Sequence, residues 1–332
     1  MPNPAQSDLH VNVPLSNVSV AYIQKPSEYV SSQVFPQVPV QKQSDLYWKY
    51  SKSDWRRTDV QRRAPGTESP GVGWKFDTDS YFCHIYAVHK DIDDQVRANA
   101  DSNFRLDSDA TKFITNQLLL KRDLDWANAY FKTGVWATDR TGVTSGPNSS
   151  QYIQWDQAGS DPIANVAQYV IDFRELTGFS PNTMVVGANV MRVLKNHPDI
   201  LDRIKYTQKG VITEDLIAGL FGVNKLVVSY ATSTSVAEIN DAEDQDAAAT
   251  YAFTANSKAA LLCYTPSSPS LMTPAAGYTF TWNGYAAGNS QGIRVKSFRQ
   301  EQIASDRVEA EMTYDMKVIA PDMGVFLASA VA

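Results

Sequence analysis

The 332-residue sequence predicts an α+β protein, and three observations carry that reading. The stretch 106–131 repeats apolar residues at three- and four-residue spacing. Residues 307–318 alternate strictly between polar and apolar. Between them, 160–231 interleaves capped helical stretches with short apolar runs. A helix with one apolar stripe and a strand with one apolar face each need another element to cover them, so packed helices and sheets follow.

Bulk composition narrows the functional classes. A hydrophobic content of 43% and a charged content of 20% are those of an ordinary globular protein. The net charge of −6 provides no global attraction for nucleic acid. Cys83 and Cys263 are too few for a disulfide framework, and each reads as a buried thiol in a reducing compartment. The opening MPNPAQSDLHVNV lacks the basic flank and apolar run of a signal peptide, and no apolar run reaches the ~18 residues of a membrane span. A cytosolic protein without membrane contact is expected.

The elements follow in chain order. Residues 1–45 carry Pro2, Pro4, Pro14, Pro26, Pro36 and Pro39, with apolar alternation at Leu9, Val11, Val13 and Leu15 and again at Val18, Val20 and Tyr22. Proline at this density leaves an extended or edge conformation. Fully extended, 45 residues reach about 150 Å, against a radius of gyration near 20 Å for a body of this size. An arm pinned on another surface is expected, a neighbouring subunit being one option.

Residues 46–76, LYWKYSKSDWRRTDVQRRAPGTESPGVGWKF, place two aromatic segments around a turn-rich centre, the pattern of a long hairpin. Trp48, Trp55 and Trp74 lie beside Lys49, Lys52, Arg56, Arg57, Arg62 and Arg63. An isolated hairpin is marginal in water, so these aromatic side chains need a surface in their own domain or on another chain. Cations interleaved with tryptophan also fit single-stranded nucleic acid, but Asp45, Asp54, Asp59 and Glu68 dilute the charge. SYFCHIYAVHK, 80–90, reads as a strand apolar on both faces.

In the long helix, Leu106, Ala110, Phe113, Leu120, Leu124, Ala127 and Phe131 mark the stripe, interrupted by Gln117, and Asp107, Ser108 and Asp109 suit its start. At about 40 Å it is expected to lie on a sheet. After the loop 141–150, Asp161-Pro162 opens a helix faced by Ile163, Val166, Val170 and Phe173, with Gly178 past its end. Met184–Gly187 reads as a strand, Asn189–His197 as a helix stopped by Pro198, and Asp199–Lys205 as a further turn or two. Thr213 starts a helix closed by Gly222, and Lys225–Ala231 is a buried strand. Glu238, Asp241, Glu243, Asp244 and Asp246 make 232–248 a solvated acidic loop or an electrostatic partner for a basic loop on another subunit. Strands are expected at 259–265 and 278–283. The alternating strand 307–318 should keep one face wet and pair with 292–300, where Arg294 and Lys296 meet its glutamates.

One catalytic motif matches. Gly288-Asn289-Ser290-Gln291-Gly292 is a G-x-S-x-G, the nucleophile elbow of a serine hydrolase, which needs a strand-to-helix turn and a histidine downstream. Here a strand-like IRVKSF follows, and His10, His84, His89 and His197 all precede Ser290. His84 and His89, five apart on a strand, point to opposite faces and make no metal pair. With no phosphate loop, dinucleotide fingerprint or zinc pattern, no catalytic residue, cofactor or metal is expected.

The run TMVVG, NVMRVLKNH, IKYTQKG, TEDLIAGLFG, KLVVSYA and the closing MKVIAPDMGVFLASAVA resemble the major capsid proteins of tailed bacteriophages, the Hong Kong 97-like fold. The resemblance implies an N-terminal arm at 1–45 and an extended loop at 46–76 lying across an adjacent subunit. It implies a peripheral domain built from 77–159, with the spine helix 106–131, and from the long strands in 286–320. An axial domain would occupy 160–285 and meet its copies at five- and six-fold positions, and 321–332 would form a C-terminal segment. By the same resemblance the chain assembles with itself, as pentamers and hexamers of an icosahedral shell around double-stranded DNA that it touches non-specifically. Interface residues would include Val11, Val13, Val18, Val20, Tyr22, Trp48, Trp55, Arg56, Arg57, Arg62, Arg63 and Trp74, and the acidic loop would lie near the axis. The shell would be assembled in the bacterial cytoplasm and end in the virion. A portal and a decoration protein are further expected partners, and with no long helical segment before the arm a separate scaffold protein is expected, unless such a segment was removed from this chain. Encapsulin nanocompartment shells share the fold and are the alternative.

Overall fold

Two sheets form the body of the protein in a computed structural model that describes residues 24–100, 105–204, 212–234, 249–269, 273–285 and 292–332. The first is built around Ser305–Val318, the expected long strand. It pairs antiparallel with Ile293–Gln300, with His84–Asp93 and with Gly277–Trp282, and the last of these pairs in parallel with Gln37–Val40. Lys296 does reach across to the glutamates, at 2.8 Å from Glu311 and 4.0 Å from Glu309. Arg294 instead lies over the ring of Tyr285. The expected wet face is corrected in the middle of this strand, where Glu311 and Thr313 are buried. Glu311 tolerates burial because Lys296 and the Tyr285 hydroxyl, at 3.1 Å, both donate to its carboxylate.

The long helix, Leu106–Tyr130, packs against this sheet, and Tyr314 donates to Asp125 across the contact at 2.8 Å. Its buried face differs from the expected stripe. Ala110, Ile114, Leu118, Arg122, Asp123 and Trp126 point inward, whereas Phe113 is 54% exposed. The stripe is rotated because a charged group lies in the core. The Asp123 carboxylate accepts from Val30 N at 2.7 Å, Ser31 N at 2.9 Å and Thr254 Oγ1 at 3.0 Å. Burial pushes the Asp123 carboxyl up, against the pull of those hydrogen bonds. Nor do the helix's first acidic residues cap it. Asp107 instead forms a two-point pair with Arg97 at 2.8 and 2.9 Å.

Those hydrogen bonds reveal a second correction. The expected arm, 1–45, is not extended throughout. Tyr29, Val30, Val34 and Phe35 are fully buried in the body, and Phe35 lies against Trp126, Tyr130 and Trp136. Pro36 precedes, and Pro39 lies within, the parallel edge strand Gln37–Val40, a position that tolerates a missing donor.

The second sheet runs in the order 151–153, 138–143, 324–328, 260–263, 183–187, 225–229. Thr183–Gly187 and Lys225–Ser229 pair in parallel and are almost wholly buried, as their apolar runs require. Helix Pro162–Thr177 covers part of this sheet. Asp161 caps it by accepting from Ala164 N at 2.9 Å, and Gly178 ends it at φ 80°, a conformation that glycine adopts without strain. Ala188–Lys195, Pro198–Ile204 and Glu214–Phe221 are the neighbouring helices, the last closed by Gly222 at φ 69°. Thr232–Thr234 and Tyr251–Phe253 form a small antiparallel ribbon. No described helix is long and apolar enough to cross a membrane.

Candidate functional site

The expected hairpin is present with a shifted second strand. Ser44–Tyr50 pairs antiparallel with Phe76–Phe82, from Ser44 opposite Phe82 to Tyr50 opposite Phe76. The single strand expected at 80–90 breaks at Cys83, because its first part belongs to the hairpin and its second to the five-stranded sheet.

Period-two alternation gives this hairpin two unlike faces. Tyr47, Lys49, Asp79 and Tyr81 share one. Tyr81 stacks on Phe280 at 4.6 Å and Tyr47 meets the same ring at 5.4 Å, so this face rests on the chain's own body. Lys49 and the Tyr47 hydroxyl donate to Asp79 at 2.6 and 3.0 Å, and the Lys49 ammonium above all holds its carboxyl down to about 2. Leu46, Trp48, Phe76 and Phe82 share the opposite face, which points to solvent. Leu46 is 59% exposed and Trp48 and Phe76 are each 54% exposed, with the last two rings 4.7 Å apart. Trp55 and Trp74 extend the patch at 6.5 Å from each other, both exposed. Leucine and aromatic side chains thus lie together on a water-facing sheet surface, unlike the singly scattered apolar residues of an ordinary protein exterior.

Between the strands, residues 51–75 contain one short helix, Lys52–Arg56. Its cations have partners in this chain. Arg56 donates to the carbonyls of Leu176 and Glu175 at 2.6 and 2.9 Å, and Lys52 pairs with Asp322. Arg57 pairs with Asp54 and Asp59 at 3.4 and 3.1 Å, and Arg63 donates to Thr67 O. Arg62 is exposed. Charges used this way are taken from the phosphate contacts that nucleic-acid binding would need.

Of the residues expected at interfaces, the structure brings Trp48, Trp55 and Trp74 to one patch and gives Arg56 and Arg57, both exposed, partners within this chain. Val11, Val13, Val18, Val20 and Tyr22 lie outside the described residues, as do Glu238, Asp241, Glu243, Asp244, Asp246 and Ser290. Sequence reasoning missed Leu46, Phe76 and Phe82 as members of the patch. Their signal was the alternation Phe76, Thr78, Ser80, Phe82, obscured by ending the hairpin at 76.

A serine–histidine pair that belongs to no sequence motif also comes together. Ser160 Oγ lies 3.1 Å from His197 Nε2, with Asp199 Oδ2 3.7 Å from His197 Nδ1, beside a cavity of about 540 Å³. The hydrogen bonds run the wrong way for nucleophilic chemistry. Asp199 N donates to Nδ1 at 3.3 Å, which keeps the imidazole proton on Nε2, facing Ser160. The serine hydroxyl donates to Gln157 O at 2.7 Å, so the pair ties a turn to the helix starting at Pro198 and gives Ser160 no base. Among the described residues no group of histidine, cysteine and carboxylate side chains is arranged to hold a metal ion.

Comparisons with known proteins agree with this architecture. No family model matches the chain. It is 26% identical over 220 residues to the major capsid protein of Burkholderia phage BcepMu, covering 65% of this chain and 68% of that protein. It is 25% identical over 224 residues to the major capsid protein of Pseudomonas phage JBD67, covering 65% and 67%. Among solved structures, a phage-related protein from Bordetella bronchiseptica superposes with a TM-score of 0.66 at 19% identity over 92% of this chain and 94% of that one. The capsid of cyanophage P-SCSP1u gives 0.57 at 12% identity over 99% of both chains. The SrpI encapsulin of Synechococcus elongatus gives 0.54 at 8% identity over 96% and 95%. The chain therefore has the Hong Kong 97-like fold that its sequence resembles.

Proposed function

We propose that this chain is the major capsid protein of a tailed phage, a structural subunit that associates with its own copies to build the virion shell. The observation that carries this reading is the two-faced hairpin: one face rests on the chain's own sheet, and the other holds Leu46, Trp48, Phe76 and Phe82 in water. A repeated contact covering that patch on every copy closes into symmetric rings without any chemistry.

The same reading assigns the parts. Residues 44–82 are the extended loop with its supporting strands, Leu106–Tyr130 the spine helix, and the sheet around Ser305–Val318 the peripheral domain. The six-stranded sheet with its helices is the axial domain. Tyr29, Val30, Val34 and Phe35 pack in the body, so in this reading the arm lies N-terminal to them. Pentamers and hexamers form in the bacterial cytoplasm, with a separate scaffold protein, a portal and a decoration protein as partners. Packaged double-stranded DNA meets the inner surface through phosphate charge alone, and the chain performs no catalysis. The encapsulin neighbour favours a second reading, a nanocompartment shell enclosing a cargo protein.

Electron microscopy of the expressed full chain, with its phage's scaffold protein co-expressed, tests the assignment. Closed shells with five- and six-fold capsomers are expected. A persistent monomer with the scaffold present would contradict it, and shells purified around a native enzyme cargo would favour the nanocompartment.

A further inference from the structure

The loop 51–75 is held to the body in an unusual way. Its supporting strands are anchored by apolar contact on Phe280, in the five-stranded sheet. Beyond Tyr50, the hydrogen bonds and ion pairs that tie the loop to the rest of the described residues come from Lys52 and Arg56, and both end on the six-stranded half of the molecule.

Arg56 meets a feature of helical geometry. Helix Pro162–Thr177 leaves its last carbonyls without intrahelical partners. Gly178 N donates to Arg174 O at 2.7 Å, and the two next carbonyls, Glu175 O and Leu176 O, receive the two arms of the Arg56 guanidinium. A cation at a helix C-terminus also meets the negative end of the helix dipole. Lys52 adds an ion pair with Asp322, in the turn that precedes strand Gly324–Ala328. Beneath these contacts lies an open gap of about 480 Å³, lined by Arg140, Tyr169 and Asp172 as well as the latch residues. Two polar side chains that reach across a gap therefore tie this part of the loop to the body.

We propose that Lys52 and Arg56 form an electrostatic latch that keeps the extended loop docked on its own subunit before a neighbouring copy covers its apolar face. The inference rests on the shell reading above for its purpose, and on the geometry alone for its existence. A docked loop presents Trp48, Trp55 and Trp74 in one arrangement, so less freedom is lost when a neighbour binds. The exposed Lys52–Asp322 pair weakens with salt and the Arg56 hydrogen bonds lie at the surface, so the latch can open without unfolding the subunit.

Spin labels at Thr67→Cys, near the loop tip, and Asp202→Cys, on an exposed helix, report the docking in the full unassembled chain, since Cys83 and Cys263 are buried. The distance distribution is expected to be narrow in the labelled parent and broad in Lys52→Ala/Arg56→Ala, with the ratio of docked to free loop falling roughly tenfold. About 1 M salt, which screens the Lys52–Asp322 pair, should broaden the parent less than the double substitution does, and Arg56→Lys, which loses the fork but keeps the charge, should also fall between. An unchanged distribution in the double variant would overturn the latch. Light scattering separates this from the shell reading. Particles forming several-fold more slowly from the double variant support the role in assembly, and equal rates overturn that role. If neither protein forms particles, the shell reading fails, while the distance distributions still decide whether the latch exists.

Discussion

The variant Trp48→Asp/Phe76→Asp is expected to fold as the parent does and to form no shells. Both side chains face water in the isolated subunit, so their loss removes little folding energy, and the thermal midpoint should move by no more than a few degrees. In an assembled particle the balance reverses. Burying each of these rings contributes about 2 kcal/mol, and a carboxylate in the same place must be stripped of water without a partner. A loss of about 4 kcal/mol per contact lowers the association constant by roughly a thousandfold. Sedimentation of the purified variant checks this, with a folded subunit at the top of the gradient as the expected result. Trp48→Phe/Phe76→Leu, which keeps the surface apolar, should assemble.

The second large effect concerns stability. Asp123→Ala is expected to destabilise the subunit by about 3–5 kcal/mol, a large part of the 5–15 kcal/mol that typically separates folded from unfolded chains. The substitution leaves Val30 N, Ser31 N and the Thr254 hydroxyl buried without an acceptor, and unpaired buried donors cost about 1–3 kcal/mol each. The damage spreads beyond the long helix, because the lost hydrogen bonds pin the segment that places Val34 and Phe35 in the core. Asp123→Asn keeps one acceptor oxygen toward the backbone and offers its amide to Thr254, so it should cost about 1 kcal/mol. Urea unfolding of the three proteins distinguishes these outcomes. The same geometry sets the limit of N-terminal truncation: removal of residues through 40 takes away core side chains and an edge strand, and should yield insoluble protein.

Much of this fold was legible in the sequence where local chemistry and packing agree. Asp161-Pro162 and Gly178 mark a helix by capping chemistry that the structure realises at both ends. The apolar runs TMVVG and KLVVS are buried parallel strands, the second at the sheet edge with the helices Ala188–Lys195 and Glu214–Phe221 packed on it. The alternation at 307–318 gave the central strand its position, and the pairing with 293–300 brought Lys296 to Glu311. Errors gathered where polar groups are buried. Arg122 and Asp123 interrupt any apolar stripe on the face that is buried, so the stripe through Phe113 lies one step around from it, and Phe113 itself lies in water. Glu311 likewise looked solvent-facing. Its burial depends on Lys296 and Tyr285, which are distant in sequence.

The candidate site was legible in part for the same reason. Aromatic residues at 48, 55 and 74 announced a hairpin in need of a covering surface, but which face they share depends on register, and register depends on where the second strand starts. Pairing of 76–82 in place of a strand ending at 76 adds Phe76 and Phe82 to the patch. The partners of Arg56 were beyond sequence reasoning. They are backbone carbonyls at a helix end more than a hundred residues away, and no side-chain pattern advertises them.

Hydroxyl-radical footprinting of Trp48, Trp55, Trp74 and Phe76 in intact particles and in subunits dissociated from them tests the central claim, that another copy covers the outward face of the hairpin. Labelling of Trp48 and Phe76 should fall several-fold on assembly, while Trp126 and Trp155, buried in both states, stay unlabelled. Equal labelling of Trp48 and Phe76 in particles and free subunits would contradict the account.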